Sequence, residues 1–305
     1  HASVYLDEIQ DFSYSSIYLI CSVGGRVNRH WVAAGDTAQM ISPGCSFTFD
    51  GMKQVLRAID RETELHKVVK LQRNYRMTKG VLEVGNAVLA LLKKYFPSAI
   101  DSIEPKEIAM KDLGLRVVLC DWDNAMNEPV SFGVQQAVVL SSPRNETRLT
   151  SSIADWLRNH PFILTALDSK GLEFDDVVVA FDVERPAWLV HSGNAASLRL
   201  LRELYVAITR AKRRVVILTK KSNKVVREFF HNLNAGVEDT DSSILALEFD
   251  KQTTEQEWFD RGIELLKERK YKLAASCLIS AGQLGWANQA QGNVYLELGQ
   301  KDTAK

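Results

Sequence analysis

LYVAITRAKRRVVIL, residues 204–218, is the stretch that decides the fold. Leu204–Ile208 continues an apolar-rich segment that reads as a helix from about Leu198 to Ala211, with Arg210 at its end. The chain then enters Val215–Thr219, a β-branched run with almost no polar alternation. A strand that is apolar on both sides must be covered on both faces, which is the habit of a parallel sheet layered between helices. Working outward, the same alternation recurs. Val4–Leu6, Trp31–Gly35, Lys67–Leu71, Arg116–Cys120, Gln135–Leu140, Phe162–Thr165 and Val177–Phe181 read as further strands. Ser16–Val23, Met52–Ile59, Lys79–Phe96 and a segment between Thr147 and Asn159 read as helices. Lys79–Phe96 is the clearest of them: Val81, Leu82, Val88, Leu91, Leu92 and Phe96 share one face, and Pro97 ends the run. The fold class predicted is α/β with a parallel sheet.

Composition bounds the rest. The 305 residues correspond to about two domains. Lys plus Arg and Asp plus Glu are 38 each, so the net charge is zero. That argues against a polybasic protein whose whole surface attracts phosphate, though a local basic groove is still compatible with it. No apolar run approaches the roughly 18 residues of a membrane helix, and Asp7-Glu8 arrives too early for a secretory signal. The four cysteines (Cys21, Cys45, Cys120, Cys277) form no CxxC pair, which speaks against zinc and a disulfide framework and for a reducing interior, nuclear or cytoplasmic.

From Thr253 the texture changes. Strand signals vanish, and Trp258, Gly262, Tyr271, Ala274, Leu278 and Ala281 take the spacing of a helix–turn–helix repeat, with Ala287, Ala290, Tyr295 and Gly299 starting a second copy. A tetratricopeptide repeat of about 34 residues orders its small and aromatic residues this way. A plain helical hairpin capping the sheet accounts for the same pattern equally well. Glu238–Ser243 reads as a linker.

Five short segments carry chemistry. VYLDEIQDF (4–12) puts a carboxylate pair directly after a buried strand, at the sheet edge where open α/β folds bind ligands. There Asp7 would hold a magnesium ion, directly or through water, and Glu8 would orient and deprotonate a water. AAGDTAQ (33–39) repeats the design and adds the amide of Gln39. LQRNYRMT (71–78) places Arg76 beside Tyr75, ahead of a helix. TALDSKGLEFDDVVV (165–179) is a polar, glycine-turned loop between two strands. LYVAITRAK brings Arg210 to the end of its helix. Each has a bland counterpart: two acids closing a strand, surface cations at Arg76 and Arg210, an ordinary turn at Lys170-Gly171. The five together, in this order and all at predicted strand edges, fit chance poorly.

As a set these segments resemble a UvrD/Rep-type superfamily 1 helicase from its magnesium-binding motif onward: DEIQD, GDTAQ, NYR, SKGLEF and YVAITRAK stand where that family has motif II, GDxxQ, and motifs IV, V and VI. With the TPR-like tail, the chain also resembles the C-terminal part of large TPR and ankyrin repeat-containing proteins that carry such a helicase. The resemblance implies a P-loop NTPase fold: residues 1–66 as the end of a first RecA-like domain, 67–236 as a second, 237–252 as linker and 253–305 as an α-helical TPR-like region. It implies ATP and Mg2+ between the two domains. Asp7 and Glu8 would lie at the metal, with Glu8 activating the attacking water, and Gln39 would sense the γ-phosphate. Arg76 and Arg210 would be arginine fingers and Glu173 would hold the ribose. Gly171 would allow close backbone approach, and Tyr75 would stack on adenine. It further implies single-stranded DNA as partner, moved 3′ to 5′, with a protein partner for the tail.

Departures from the family bear on these expectations. No GxxxxGK[ST] string occurs in the 305 residues, so the chain reads as a fragment that lacks the phosphate-binding loop, and His1-Ala2-Ser3 reads as a cloning scar or a cut end. Leu167 replaces the His of motif V, on the DNA side. MISPGCSFTFDG (40–51) replaces an aromatic and FRG, leaving Phe47 and Phe49 as base-stacking or core residues. A degenerate helicase fold kept as a protein scaffold, and an RNA-directed ATPase, are the rival readings. The retained Asp7, Glu8, Gln39, Arg76, Glu173 and Arg210 count against the scaffold.

Overall fold

The computed structural model describes residues 3–23, 30–59, 68–101, 107–114, 117–125, 130–140, 160–181, 194–233, 235–241, 243–245, 249 and 251–299. Six strands form its central sheet: β5 (Val118–Asp121), β6 (Gln136–Leu140), β7 (Ile163–Thr165), β8 (Phe174–Ala180), β9 (Ala211–Thr219) and the two-residue β10 (Glu238–Asp239). They lie in the order β10-β5-β9-β8-β6-β7, and every pair is parallel. β8 shows why. Val177 and Val179 join the core on one face, with α3 (Lys79–Tyr95), α4 (Ala195–Thr209) and α5 (Lys224–His231). Val178 and Ala180 join a second core on the other face, with Trp122, Phe132 and Phe249. A strand segment with a period of two that is apolar at four consecutive positions, Val177–Ala180, has no face to leave in water.

Two smaller parallel pairs flank this sheet. β1 (Ser3–Leu6) pairs with β2 (His30–Ala33) and carries its own core of Ile9, Ile17, Cys21, Met40, Phe47 and Met52, built with α1 (Tyr14–Val23) and α2 (Phe49–Ile59). Phe47 is 1% exposed and packs edge-on to Phe49 at 5.3 Å, so it belongs to the core and presents no ring to a base. β3 (Arg73–Thr78) pairs with β4 (Ile108–Lys111).

Here the sequence reading needs correction. The predicted strand at Lys67–Leu71 is not one: residues 68–72 carry no regular structure, and Val69 and Leu71 are 82% and 81% exposed. The strand is the polar RNYRMT that follows, pinned by Asn74 Nδ2 to Glu107 at 2.9 Å and by Thr78 Oγ1 to the Arg213 carbonyl at 2.8 Å. β9 starts at Ala211, earlier than Val215, because the basic run is held: Arg214 makes two bonds to buried Asp176, at 2.8 and 3.0 Å. The linker reading of 238–243 also gives way, since Glu238–Asp239 pairs with β5 and the Thr240 amide donates to the Leu119 carbonyl at 2.9 Å. The helix expected between Thr147 and Asn159 lies outside the described residues.

After a capping box at Thr254 and Glu257 come three helices, α6 (Glu255–Lys267), α7 (Tyr271–Ser280) and α8 (Leu284–Glu297), each packed on the next. They are not a separate body. Trp258, Leu265, Ala274, Leu278 and Ala287 belong to the same core as β8 and α4. Trp258 sits on the rings of His160 at 5.5 Å and Phe162 at 6.1 Å.

His160 gives this seam a pH dependence. Burial pushes its imidazole down to about 4, although its contacts with the Gly133 and Phe132 carbonyls favour the charged form. Nδ1 accepts from the Phe162 amide at 3.2 Å, which fixes the neutral tautomer with its proton on Nε2 toward the Gly133 carbonyl. The unfolded chain takes up a proton near pH 6.5 and the folded chain only near 4, so stability is full above 6.5 and falls as pH drops through that window. Between pH 7 and 5 the loss should be about 2 kcal/mol. Thermal unfolding across this range, with His160→Gln as comparison, checks it: the variant should show a flatter slope.

Candidate functional site

The junction between the β1–β2 unit and the central sheet gathers most of the residues singled out above. β1 delivers Asp7 and Glu8 to its carboxyl end, where both are exposed. Glu8 adopts φ 51 and ψ 39, the left-handed region, and opens the turn Ile9–Asp11. For a residue with a Cβ this costs roughly 1–3 kcal/mol, which the surrounding structure must sustain. It is sustained locally. The Glu8 amide donates to Asp7 Oδ1 at 2.9 Å, and Gln10 Nε2 donates to Glu8 Oε2. Gln10 is fully buried, and its Oε1 accepts from the Asp36 amide at 3.1 Å. Gly35 makes this approach feasible, since a Cβ there would lie 2.5 Å from Gln10 Oε1 and 2.9 Å from Ile9 Cγ2.

Asp36 passes the connection on. Its Oδ1 caps the turn Thr37–Gln39 through the Ala38 amide, and its Oδ2 accepts from Gln39 Nε2 at 3.0 Å and from the Tyr205 hydroxyl at 3.2 Å. Burial and the neighbouring carboxylate hold the Tyr205 phenol well above its ordinary value, so it stays a donor. With its amide nitrogen on Asp36, Gln39 presents Oε1 to Arg210 Nη2 at 2.9 Å. A continuous line of hydrogen bonds therefore runs from Glu8 through Gln10, Asp36 and Gln39 to Arg210.

Arg210 closes α4 and is 3% exposed. Its Nε donates to the Val206 carbonyl at 3.1 Å and its Nη1 to the Leu172 carbonyl at 3.4 Å. Burial, then the charge of Arg76, push the guanidinium down to about 10, while Glu8 and Glu173 hold it up, so it is a cation at neutral pH. Arg76 reaches the same place from β3. Its Nη1 meets Glu173 Oε1 at 2.7 Å and its Nη2 donates to the Thr209 carbonyl at 3.1 Å, while its buried Nε has no partner among the described residues. Burial would raise the Glu173 carboxyl, but the hydrogen bond and charge of Arg76, with Lys212 at 3.5 Å, outweigh it and lower the pKa.

Lys170 ties the two sides together. Its Nζ sits 2.5 Å from Asp11 Oδ1 and 3.0 Å from the Gln39 carbonyl. Gly171 follows at φ 71, a conformation that favours glycine. Tyr75 is 62% exposed and, as the strand neighbour of Arg76, faces away from it. Leu167 is 47% exposed on the same loop as Lys170.

The structure thus brings Glu8, Gln39, Arg76, Glu173, Gly171 and Arg210 to one junction, with Asp7 beside Glu8 and Tyr75 on the far face of β3. It adds Gln10, Asp11, Asp36, Lys170 and Tyr205. Four of these are letters of the DEIQD, GDTAQ and SKG segments and the fifth belongs to LYVAITRAK, but their pairing across the chain had no signal in the sequence. Among the described residues no three His, Cys, Asp or Glu side chains form a cluster for a metal ion. The donor set fits magnesium nonetheless, because that ion needs only one or two carboxylates and completes its shell with water and phosphate. No described helix is long and apolar enough to cross a membrane.

Comparison with known proteins gives likenesses that include the following three. A human protein, TPR and ankyrin repeat-containing protein 1, is 25% identical over 347 aligned residues, covering 92% of this chain. The chain spans 12% of that relative's length. The structure of PRRSV helicase aligns with a TM-score of 0.39 and 17% identity, over 72% of this chain and 35% of its own. The C-terminal domain of a possible DNA helicase from Lactobacillus plantarum WCFS1 aligns with a TM-score of 0.30 and 16% identity, over 55% and 99%. No family model matches the chain.

Proposed function

We propose that this chain is part of a helicase-like ATPase that acts on nucleic acid, with ATP and Mg2+ held at the junction of the β1–β2 unit and a RecA-like central sheet. The observation that carries the reading is the hydrogen-bonded line from Glu8 to Arg210. It joins a carboxylate pair to a buried cation across two separately built units, as a transferable phosphoryl group requires. Bound magnesium would supply charge neutralisation at the phosphates, held by Asp7 and Glu8.

The chain's own groups would then divide the work. Glu8 accepts a proton from the attacking water, and Gln10 fixes the carboxylate's direction. Gln39, oriented by Asp36, lies between the acid side and Arg210 and reports the state of the phosphates to the second sheet. Arg210 and Arg76 supply positive charge to the phosphoryl group. Glu173 holds Arg76, and the ribose contact implied by the family resemblance would come in addition to that bond. Gly171 lets the loop backbone come close, and Tyr75, on the far face of β3 from Arg76, would meet adenine only with the base lying outside the junction. Single-stranded DNA, or RNA, would be the polymer moved as the junction opens and closes, with 3′-to-5′ travel resting on the resemblance alone.

The scaffold reading keeps one observation in its favour: the Arg210 donors already have protein acceptors. Steady-state ATP hydrolysis decides between them, measured with single-stranded DNA on a polypeptide that joins this chain to a domain carrying a phosphate-binding loop. DNA-stimulated turnover is the expected result, and ATP bound without turnover would establish the scaffold. The 305-residue chain alone should bind ATP weaker than micromolar by calorimetry, because the backbone amides and lysine of a phosphate loop are not in it. Micromolar binding would show that the phosphates are gripped elsewhere.

A further inference from the structure

The loop 166–172 is gripped from two sides at neighbouring residues, Lys170 and Gly171. On its inner side Lys170 reaches Asp11 and the Gln39 carbonyl, as described. On its outer side the Gly171 carbonyl accepts from Lys270 Nζ at 3.0 Å. Lys270 opens α7 and is itself paired with Glu268 at 2.8 Å. It is delivered there by α6, which Trp258 seats on His160 and Phe162 and whose Arg261 lies 5.9 Å from the Phe162 ring.

The turn that carries these two residues is internally bonded. The Ser169 amide donates to the Thr165 carbonyl at 3.0 Å, Ser169 Oγ to the Ala166 carbonyl at 2.8 Å and the Leu172 amide to the Ser169 carbonyl at 3.0 Å. A displacement of Gly171 in such a turn carries Lys170 with it. Among the described residues, Lys270 Nζ is the one atom within 4 Å of a Cβ added at Gly171, at 3.7 Å.

We propose that Lys270 is a positioning residue: by holding the Gly171 carbonyl it keeps Lys170 aimed at Asp11 and Gln39, which makes the C-terminal helices part of the device that holds the two sheets together. The inference goes beyond the nucleotide reading and does not depend on it.

Zero-length carbodiimide coupling tests it on the full 305-residue chain. The reagent joins a lysine to a carboxylate only when they touch, so the yield of the Lys170–Asp11 cross-link, read by peptide mass spectrometry, measures the bridge directly. Lys270→Met should lower that yield by up to about tenfold, the shift expected from losing one hydrogen bond with a charged donor. Lys270→Arg should restore most of it. The thermal midpoint should change little in either variant, which separates positioning from folding; should Lys270→Met fail to fold, Lys270→Gln carries the same comparison. An unchanged yield in the methionine variant, or no recovery with arginine, overturns the proposal. A cross-link that depends on Lys270 in a polypeptide that never hydrolyses ATP would leave this inference standing and remove the proposed function.

Discussion

Glu8→Gln, in a polypeptide that joins this chain to a domain carrying a phosphate-binding loop, should lower ATP turnover by about 10²–10⁴-fold while ATP remains bound. The amide has the shape of the carboxylate but cannot accept a proton from water. The substitution is also structurally mild. The left-handed backbone at position 8 is set by the turn Ile9–Asp11, and a glutamine oxygen can still accept from Gln10. A burst experiment separates the steps: nucleotide should bind in the first turnover and no phosphate should be released. Equal turnover by variant and parent would remove Glu8 from the role of base.

The two arginines should each cost on the order of 10³-fold in turnover when cut to alanine, the scale of a lost arginine finger, but they should differ in what else they cost. Arg76 is half-buried and bonded to half-exposed Glu173 and to the Thr209 carbonyl, so Arg76→Ala should lower the melting temperature less than Arg210→Ala does. Arg210 is buried and bonds Val206, Leu172 and Gln39. Its removal strands those acceptors and should cost roughly 1–3 kcal/mol of stability besides. Arg210→Lys keeps the charge without the fork, and should recover stability better than turnover. Nucleic-acid affinity without ATP should be unaffected in all three. Variants that lose only nucleic-acid binding would reassign both arginines to the polymer.

How much of this could be read beforehand depends on where the information lies. The sheet was legible because Val177–Ala180 is apolar at consecutive positions, which only a two-sided core explains. The helix Lys79–Tyr95 was legible because its apolar period is local. β3 was not, because Lys67–Leu71 has the better strand composition while the real strand is polar, held by partners more than 30 residues away such as Glu107 and Arg213. The site divides in the same way. Glu8, Gln39, Arg76 and Arg210 stand out as letters in motifs. Gln10 and Lys170 acquire meaning only from bonds to Asp36, Asp11 and Gln39, made by folding rather than by neighbourhood in the chain. The C-terminal helices were legible as helices, but their entry into the main core through Trp258 was not, since nothing in a helical period names its partner.

The order β10-β5-β9-β8-β6-β7 has a consequence during synthesis. Val118 must wait for Val216 before β5 gains its inner neighbour, and Glu238 arrives later still to cover the other side. At roughly 5–20 residues per second a ribosome takes about 5–20 s to make that interval. Throughout it a strand with both Leu119 and Cys120 destined for complete burial has emerged with neither lateral partner in existence. β6 faces a shorter interval, since β7 and β8 follow it directly. The nascent chain therefore passes through a window in which β6, β7 and β8 can already associate and β5 cannot. It is in that window that a chaperone, or misassociation with another nascent copy, would find its target.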